Sequence, residues 1–182
     1  MRKIILLATV FCCISVWALA QHDHGSHQNK TKTSNSDTSI KSIADNRSSQ
    51  TQLSQLLSTY YNIKNALVTG DANSAASNAD LLLKTANALD FKVLSEGSVH
   101  ILAKDAGKIS STNDLKKQRE YFVDLSSDMA TVARSLKLVN EPIYLQYCPM
   151  KKASWLSSEK QIRNPYYGSS MLTCGEVVET LK

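Results

Sequence analysis

Apolar residues recur at intervals of three and four from residue 51 to residue 139, and this helical period constrains the fold more than any other feature of the chain. Gly70 ends the first run, and Asp71 is a suitable N-cap for the second. A third, shorter run follows, and Ser111 or Thr112 begins a fourth. The core positions predicted from the four runs are Leu53, Leu56, Leu57, Tyr60, Ile63, Leu67 and Val68; Ala72, Ala75, Ala76, Ala79, Leu82, Leu83, Ala86 and Leu89; Val99, Leu102, Ala103, Ala106 and Ile109; and Leu115, Gln118, Phe122, Leu125, Met129, Val132, Leu136 and Val139.

Helices joined by short loops pack against one another in antiparallel fashion, so the sequence predicts a mainly all-α fold, an up-down four-helix bundle. Residues 51–182 are expected to form one domain. Its last part, residues 141–182, is called the C-terminal segment and is predicted to be irregular or a small α+β unit. Glu141-Pro142 is expected to end the fourth helix, and the run from Ile143 to Tyr147 is typical of an extended strand. His100 is predicted to lie at the surface.

The first twenty residues have the features of a secretion signal. Arg2 and Lys3 precede an apolar run from Ile4 to Trp17, and Ala18-Leu19-Ala20 offers small residues for cleavage after Ala20. The apolar run is too short for a stable membrane span, and no other segment is long and apolar enough. We therefore predict a periplasmic or secreted protein with no membrane span once residues 1–20 are removed.

Charge and motifs exclude several classes of function. The formal net charge is +5 and falls to +3 when Arg2 and Lys3 leave with the signal. These charges are scattered, whereas nucleic-acid binding requires a clustered basic face. The sequence has no nucleophile elbow, phosphate loop or zinc-protease motif, so we predict neither a nucleic-acid partner nor an enzyme.

Residues 21–50 form a polar segment that contains three of the four histidines of the chain. A segment with so few apolar residues is predicted to be a disordered linker. Neutral imidazole binds Cu(II), Zn(II) or Ni(II), so His22, His24 and His27 are candidate metal ligands. The alternative is a solubilising linker whose histidines bind nothing.

Four sulfur side chains lie in the C-terminal segment: Cys148, Met150, Met171 and Cys174. Polarisable sulfur ligands suit a soft metal ion, so these residues are a candidate Cu(I) site. Pro149 fixes the backbone between the first two of them. The two cysteines are also the only ones that remain after signal removal, and an even pair in an oxidising compartment is first expected to form a disulfide. The residues alone leave both alternatives open.

The C-terminal segment resembles a family of exported bacterial domains of unknown function, and the resemblance extends more weakly over the helices, covering roughly residues 50–182. The motifs that carry the resemblance are Tyr147-Cys148-Pro149-Met150, Trp155-Leu156-Ser157-Ser158, Ile162-Arg163-Asn164-Pro165-Tyr166-Tyr167-Gly168, Met171-Leu172 and Cys174-Gly175. That family occurs beside, or fused to, CusB-like membrane-fusion components of heavy-metal efflux pumps, so the resemblance implies a helical domain linked to copper or related metals. The Cys-Pro-Met run is also similar to the core of small heavy-metal-binding domains, although Lys151-Lys152 stand here where those domains have His-Pro.

Two functional hypotheses follow. The first is a periplasmic soft-metal binding protein, a copper buffer or a chaperone that delivers Cu(I) to an efflux membrane-fusion protein. The second is a structural or adaptor module, stapled by a Cys148–Cys174 disulfide, that binds another envelope protein. Trp155, Tyr166 and Tyr167 are candidate anchors for such a partner, although the sequence favours their burial against the helices.

Overall fold

The computed structural model describes the backbone of residues 36–182 and the side chains of residues 46–182. The order of elements is four helices followed by a small sheet. Their bounds are α1 Ser36–Thr69, α2 Ala72–Asn87, α3 Glu96–Ser110, α4 Leu115–Ser135, β1 Ile143–Cys148, β2 Ala153–Ser157, a 3₁₀ helix Gly168–Met171 and β3 Glu176–Leu181. The predicted class, mainly helical with four helices and a small C-terminal α+β unit, is confirmed. The signal at residues 1–20 and His22, His24 and His27 lie outside the described residues.

Helix α1 begins at Ser36, whereas the linker predicted from composition extends to residue 50. The two assignments differ for residues 36–50. Neither glycine nor proline occurs between Ser36 and Thr69, so nothing in that stretch breaks the helix that the apolar residues after Thr51 stabilise.

The caps of the later helices agree with the sequence in one case and differ in another. Asp71 caps α2 as predicted, and its carboxylate accepts a hydrogen bond from the backbone N–H of Ser74 at 2.9 Å. Helix α4, in contrast, is capped by Asp114 and not by Ser111 or Thr112. An Asp carboxylate can accept from two backbone N–H groups of the first turn, and this one does.

Helix α4 ends at Ser135, earlier than the position expected from Glu141-Pro142. The chain becomes extended at Leu136, and Leu138 turns into the core with 1% of its surface exposed. The side-chain amide of Gln50 on α1 donates to the carbonyl of Leu138 at 2.5 Å. Tertiary packing against α1 therefore overrides the helical period in these last residues.

The helices pack in sequence order, α1 on α2, α2 on α3 and α3 on α4. Twenty-two of the 28 predicted core positions are buried, and they form one core together with residues of the sheet; the other six are partly buried. Gln118, which the apolar period placed in the core, is fully buried, and its amide donates to the carbonyl of Ala72 at 2.9 Å and to that of Thr112 at 2.6 Å. His100 is exposed, as predicted.

The three strands form an antiparallel sheet in the order β2-β1-β3. Cys148 pairs with Ala153 across the β1–β2 hairpin, and Tyr147 pairs with Glu176 on β3. Strand β2 packs against α4, so one face of the sheet closes the helical core.

A buried hydrogen-bond chain joins the sheet to the helices. The hydroxyl of Tyr60 on α1 lies 2.7 Å from the hydroxyl of Ser126 on α4 and accepts from the backbone N–H of Leu156 on β2 at 3.1 Å.

Among the helices of residues 36–182, none has both the length and the apolar character that a bilayer crossing requires.

Candidate metal centre

Cys148 is the last residue of β1, and the hairpin that follows fixes its position. The four-residue turn to β2 closes with a hydrogen bond from the N–H of Lys152 to the carbonyl of Cys148 at 2.8 Å. Lys152 has a φ of 57°, the left-handed conformation that tight turns require. The N–H of Lys151 points back at the Cys148 sulfur, 3.4 Å away. Cys148 itself has no exposed surface.

Asn164 positions Cys174 from the opposite side. Its backbone N–H donates to the carbonyl of Leu172 at 2.8 Å, and its side-chain amide donates to the carbonyl of Cys174 at 2.8 Å. The Oδ1 atom of the same fully buried side chain accepts from the N–H groups of Tyr166 and Tyr167. One asparagine thus fixes both ends of the loop that carries Met171 and Cys174.

Gly175 allows this loop to approach the sheet. Its φ is +149°, and a Cβ atom at this position would lie 2.8 Å from the carbonyl oxygen of Tyr147 and 2.9 Å from the ring of Trp155. Any other residue would collide with β1 or strain the backbone. Glycine here therefore lets β3 pair with β1 and brings Cys174 beside Cys148.

The two thiols, called the thiol pair, converge at a sulfur–sulfur distance of 3.7 Å. Both cysteines are free. Burial raises the pKa of the Cys174 thiol, and the hydrogen bond with Cys148 and its charge raise it further, while a backbone hydrogen bond from Met150 acts in the opposite direction. A second thiolate beside the first is therefore unfavourable, unless a metal cation neutralises the charge or a disulfide replaces both thiols.

The two methionines lie at the surface of the same segment. Met150 occupies the turn after Cys148 and has 63% of its surface exposed, and Met171 ends the 3₁₀ helix with 40% exposed. Exposed apolar side chains are common on protein surfaces, and Phe91 is 58% exposed in the same chain, so exposure makes the two thioethers accessible but does not by itself assign them a role. Met129, in contrast, is fully buried in α4, as predicted. Both thioethers are therefore accessible beside the hairpin and the loop that hold the thiols.

No cluster of three or more His, Cys, Asp or Glu side chains that is suited to a metal ion occurs among the residues that the structure describes. A metal held by the thiol pair would therefore take its further ligands from the thioethers or from water. The histidines of the leader, outside the described residues, stay a separate prediction.

Two of the three predicted anchors of a protein partner are buried. Trp155 has no exposed surface and Tyr166 has 4%, and the two rings meet edge to face with centroids 5.8 Å apart. Tyr166 also packs against Phe122 of α4, with centroids 6.0 Å apart. The expected burial against the helices is thus confirmed for these two, whereas Tyr167 is only partly buried.

Sequence reasoning recognised the Asn164-Pro165 turn and Gly175 as part of the motif, but it missed their roles. An asparagine followed two and three residues later by N–H groups without other partners is typical of a side-chain-capped turn. The Asn-Pro-Tyr-Tyr spacing was the available signal for Asn164. No local signal indicated that Gly175 would face Trp155, since that contact joins two strands that are not neighbours in the sheet.

Comparison with protein families gives one match. Residues 56–141 match the model of a family described as "Protein of unknown function (DUF3347)". The match covers most of the four helices and ends before β1, so the thiol pair lies outside it. This agrees with the expectation of a domain of unknown function. Searches of the curated proteins and of the solved structures found no match.

Proposed function

We propose that the chain is an exported soft-metal binding protein that holds Cu(I) at the thiol pair and buffers it or passes it to an efflux membrane-fusion protein. The observation that carries the proposal is the 3.7 Å separation of the Cys148 and Cys174 sulfurs. Met150 is exposed in the turn after Cys148, and Met171 is exposed in the loop that carries Cys174. Thiolate and thioether sulfur are the ligands that Cu(I) prefers. Export and the efflux partner rest on the signal features and the family resemblance of the sequence.

The sulfur separation favours a site with more than two ligands. Metal–thiolate bonds are about 2.3 Å long, so an ion bound at the present separation would see the two sulfurs at an angle of roughly 110°. A linear two-ligand site would need sulfurs about 4.6 Å apart. An angle near tetrahedral leaves room for two further ligands, and Met150 and Met171 are the nearest candidates in sequence. Because thiols lose protons when they bind a metal, affinity is expected to rise with pH.

The four helices act in this proposal as the support of the site. Successive helices are joined by short connections, which favour the antiparallel up-down order that the sequence predicts. Helix α4 packs against β2, and the hydrogen bond from Leu156 to Tyr60 links the same strand to α1. Cys148 ends a strand, and Cys174 lies in the loop before β3 that the hydrogen bonds of Asn164 hold. Such support keeps two thiols at a fixed separation better than a free loop does.

The test is a titration of reduced protein with Cu(I) in competition with a chromophoric chelator. A chain that begins at Gln21, the predicted mature N-terminus, excludes Cys12 and Cys13. We expect one tightly held Cu(I), which the double variant C148S/C174S does not bind. M150L/M171L is expected to weaken Cu(I) binding without abolishing it, since it removes both candidate thioether ligands and leaves both thiols in place. M129L, at a buried methionine far from the surface, is the matched control and should bind as the parent does.

The polar segment of residues 21–50 requires its own variant, because its histidines can bind copper independently of the thiol pair. Replacement of His22, His24 and His27 by alanine should leave the Cu(I) stoichiometry at the thiol pair unchanged and should remove any weaker Cu(II) binding. A stoichiometry and affinity of C148S/C174S equal to those of the parent would contradict the proposed site.

A disulfide-stapled module is the second candidate, and the same sulfur distance supports it. A disulfide needs sulfurs about 2.0 Å apart, so closure would require an approach of about 1.7 Å. The bond would close a loop between positions 26 residues apart, and such a loop stabilises by roughly 3 kcal/mol in the chain-entropy account. Alkylation of the protein as isolated from the cell envelope separates the two candidates. Two free thiols support the metal site, and none supports the staple.

A further inference from the structure

A cleft at the start of α4 has an unbalanced positive charge. Its cavity of about 450 Å³ lies between the first two turns of α4, the β1–β2 turn and the aromatic pair before the 3₁₀ helix. It is called the cation cleft, and its lining residues are Leu115, Lys116, Arg119, Glu120, Lys151, Tyr166 and Tyr167. The volume lies within the range typical of small-molecule sites.

Arg119 is the fixed cation of the cleft. One terminal nitrogen donates to the carbonyl of Leu67 at 2.9 Å, and Gly168 makes room for the guanidinium, because a Cβ atom there would overlap it. The Nε atom is enclosed but has no hydrogen-bond partner among the described residues. Burial lowers the pKa of Arg119, which indicates that its charge is only partly hydrated. With Nε enclosed and one terminal nitrogen donating to Leu67, the donors that remain for a ligand are the other N–H groups of the two terminal nitrogens.

Lys116 and Lys151 add two more cations from different elements. Within the described part of the chain, no carboxylate lies within ion-pair distance of Arg119, Lys116 or Lys151. Glu120 also lines the cleft and supplies one negative charge, so the cations exceed the anions by two. Asp114 already accepts hydrogen bonds from the free N–H groups at the start of α4. An anion in the cleft would therefore be attracted by the three cationic side chains and not by the end of the helix.

The rest of the wall is apolar or aromatic. Leu115, the partly buried Tyr167 and the buried Tyr166 complete the lining. A planar guanidinium recognises a carboxylate through two parallel hydrogen bonds, and an aromatic wall favours a flat apolar body. We propose that the cation cleft binds a small organic carboxylate with an apolar or aromatic body, held by Arg119, Lys116 and Lys151. This inference does not depend on metal binding.

The test is a titration of purified protein followed by amide chemical shifts in NMR, with benzoate as the probe. Benzamide has the same ring without the charge, acetate has the charge without the ring, and inorganic phosphate tests a different anion. We expect benzoate to shift the amides of α4 and of the β1–β2 turn, and to bind at least tenfold more tightly than benzamide or acetate. Equal affinity for benzoate and benzamide, tighter binding of phosphate, or no shift in the cleft would overturn the proposal.

Variants locate the binding. K151Q and K116Q should each weaken benzoate binding about three- to tenfold, since each removes one charge-assisted contact. K117Q is the matched control, because Lys117 is an exposed lysine of the same helix that does not line the cleft, and it should bind as the parent does. Arg119 also donates to Leu67, so R119Q can fail to fold. R119K keeps the positive charge but cannot make two parallel hydrogen bonds to a carboxylate, so it should bind benzoate at least tenfold more weakly. Benzoate affinities of K151Q and K116Q equal to that of K117Q would refute the site.

Discussion

Two side chains with the same hydrogen-bond pattern show how the helices and the C-terminal segment differ. Asp114 accepts from the N–H groups two and three residues ahead, at 2.9 and 3.3 Å, and it does so at the surface. Asn164 accepts with the same spacing, at 2.8 and 3.3 Å, but it is fully buried and also donates to Cys174. If the Asp114 side chain is removed, water can bind the N–H groups that it caps. Water does not reach the N–H groups that the buried Asn164 caps, so they would lose their partners.

The difference extends to the organisation of the two regions. The helices are held by apolar stripes that pack in sequence order. The C-terminal segment has short strands and a long loop between β2 and β3, and buried polar side chains fix that loop. Gln146, with no exposed surface, donates to the carbonyl of Glu159 at 2.7 Å, and Asn164 fixes the other end. The candidate metal centre therefore lies in the region whose geometry depends on a few individual hydrogen bonds.

The largest predicted effect tests whether these regions unfold together. Phe122 of α4 is fully buried, stacks on Tyr60 with centroids 5.3 Å apart and touches Tyr166 of the C-terminal segment. F122A should lower the free energy of unfolding by about 3–5 kcal/mol, because it leaves a cavity between the regions. Helix content by circular dichroism and Trp155 fluorescence should report the same transition. Two separate transitions would show that the C-terminal segment unfolds on its own.

The next effect concerns the buried cap. N164A leaves two N–H groups and one carbonyl without partners in a buried loop, so we expect a loss of about 2–3 kcal/mol in the free energy of unfolding. N164D keeps the acceptor but places a buried carboxylate against the carbonyl of Cys174, so at neutral pH it should lose at least as much stability as N164A. Urea unfolding measures the loss. The reaction rate of the thiol pair with a thiol reagent should also rise in N164A. A rate equal to that of the parent would show that Asn164 does not hold Cys174.

The exposed cap gives a smaller effect. D114A removes the acceptor for two N–H groups that water can reach, so we expect a loss of only about 1 kcal/mol. The same urea experiment measures it, and the reactivity of the thiol pair should not change. A loss as large as that of N164A would mean that burial does not distinguish the two caps.

The sequence predicts the helical region well because its information is periodic and local. The stripe from Leu53 to Leu67 and the stripe of α4 identified buried residues, and Gly70 and Asp71 marked a boundary. The errors lie where tertiary contacts act on local preference. Leu136 and Val139 continue the helical period in sequence, yet the chain leaves the helix at Leu136. Leu138, which is not on that stripe, packs into the core where Gln50 donates to its carbonyl. Periodicity cannot detect such a competing contact.

The C-terminal segment was predicted less completely. The extended run became β1, and the two cysteines were expected to meet, which they do at 3.7 Å. The partner strands were not predicted, because β3 pairs with a strand about thirty residues earlier through an approach that only Gly175 permits. Residues that hold the site, such as Asn164, carry no period. The Asn-Pro-Tyr-Tyr spacing indicates the turn at Asn164, but the hydrogen bond from Asn164 to Cys174 becomes visible only in the folded loop.

The smallest predicted effect concerns Asp128, a carboxyl group of the helical region whose charged form lowers the free energy of unfolding. The pKa of Asp128 on α4 is raised to about 6, first by burial and then by the hydrogen bond with Asp105 and by the charges of Asp105 and Asp124, while Lys108 opposes the shift. The folded state therefore binds more protons than the unfolded state between about pH 4 and 6, and this stabilisation is lost as the pH rises through 6. D128N stays neutral and keeps a donor for Asp105. It should stabilise the protein at pH 7 by less than about 1 kcal/mol, since solvent screens this partly exposed group, and should flatten the decline in the free energy of unfolding between pH 4.5 and 7. D80N, at the exposed pair with Lys84, is the control and should keep the decline of the parent. A D128N variant with the same decline would place the pH sensitivity elsewhere.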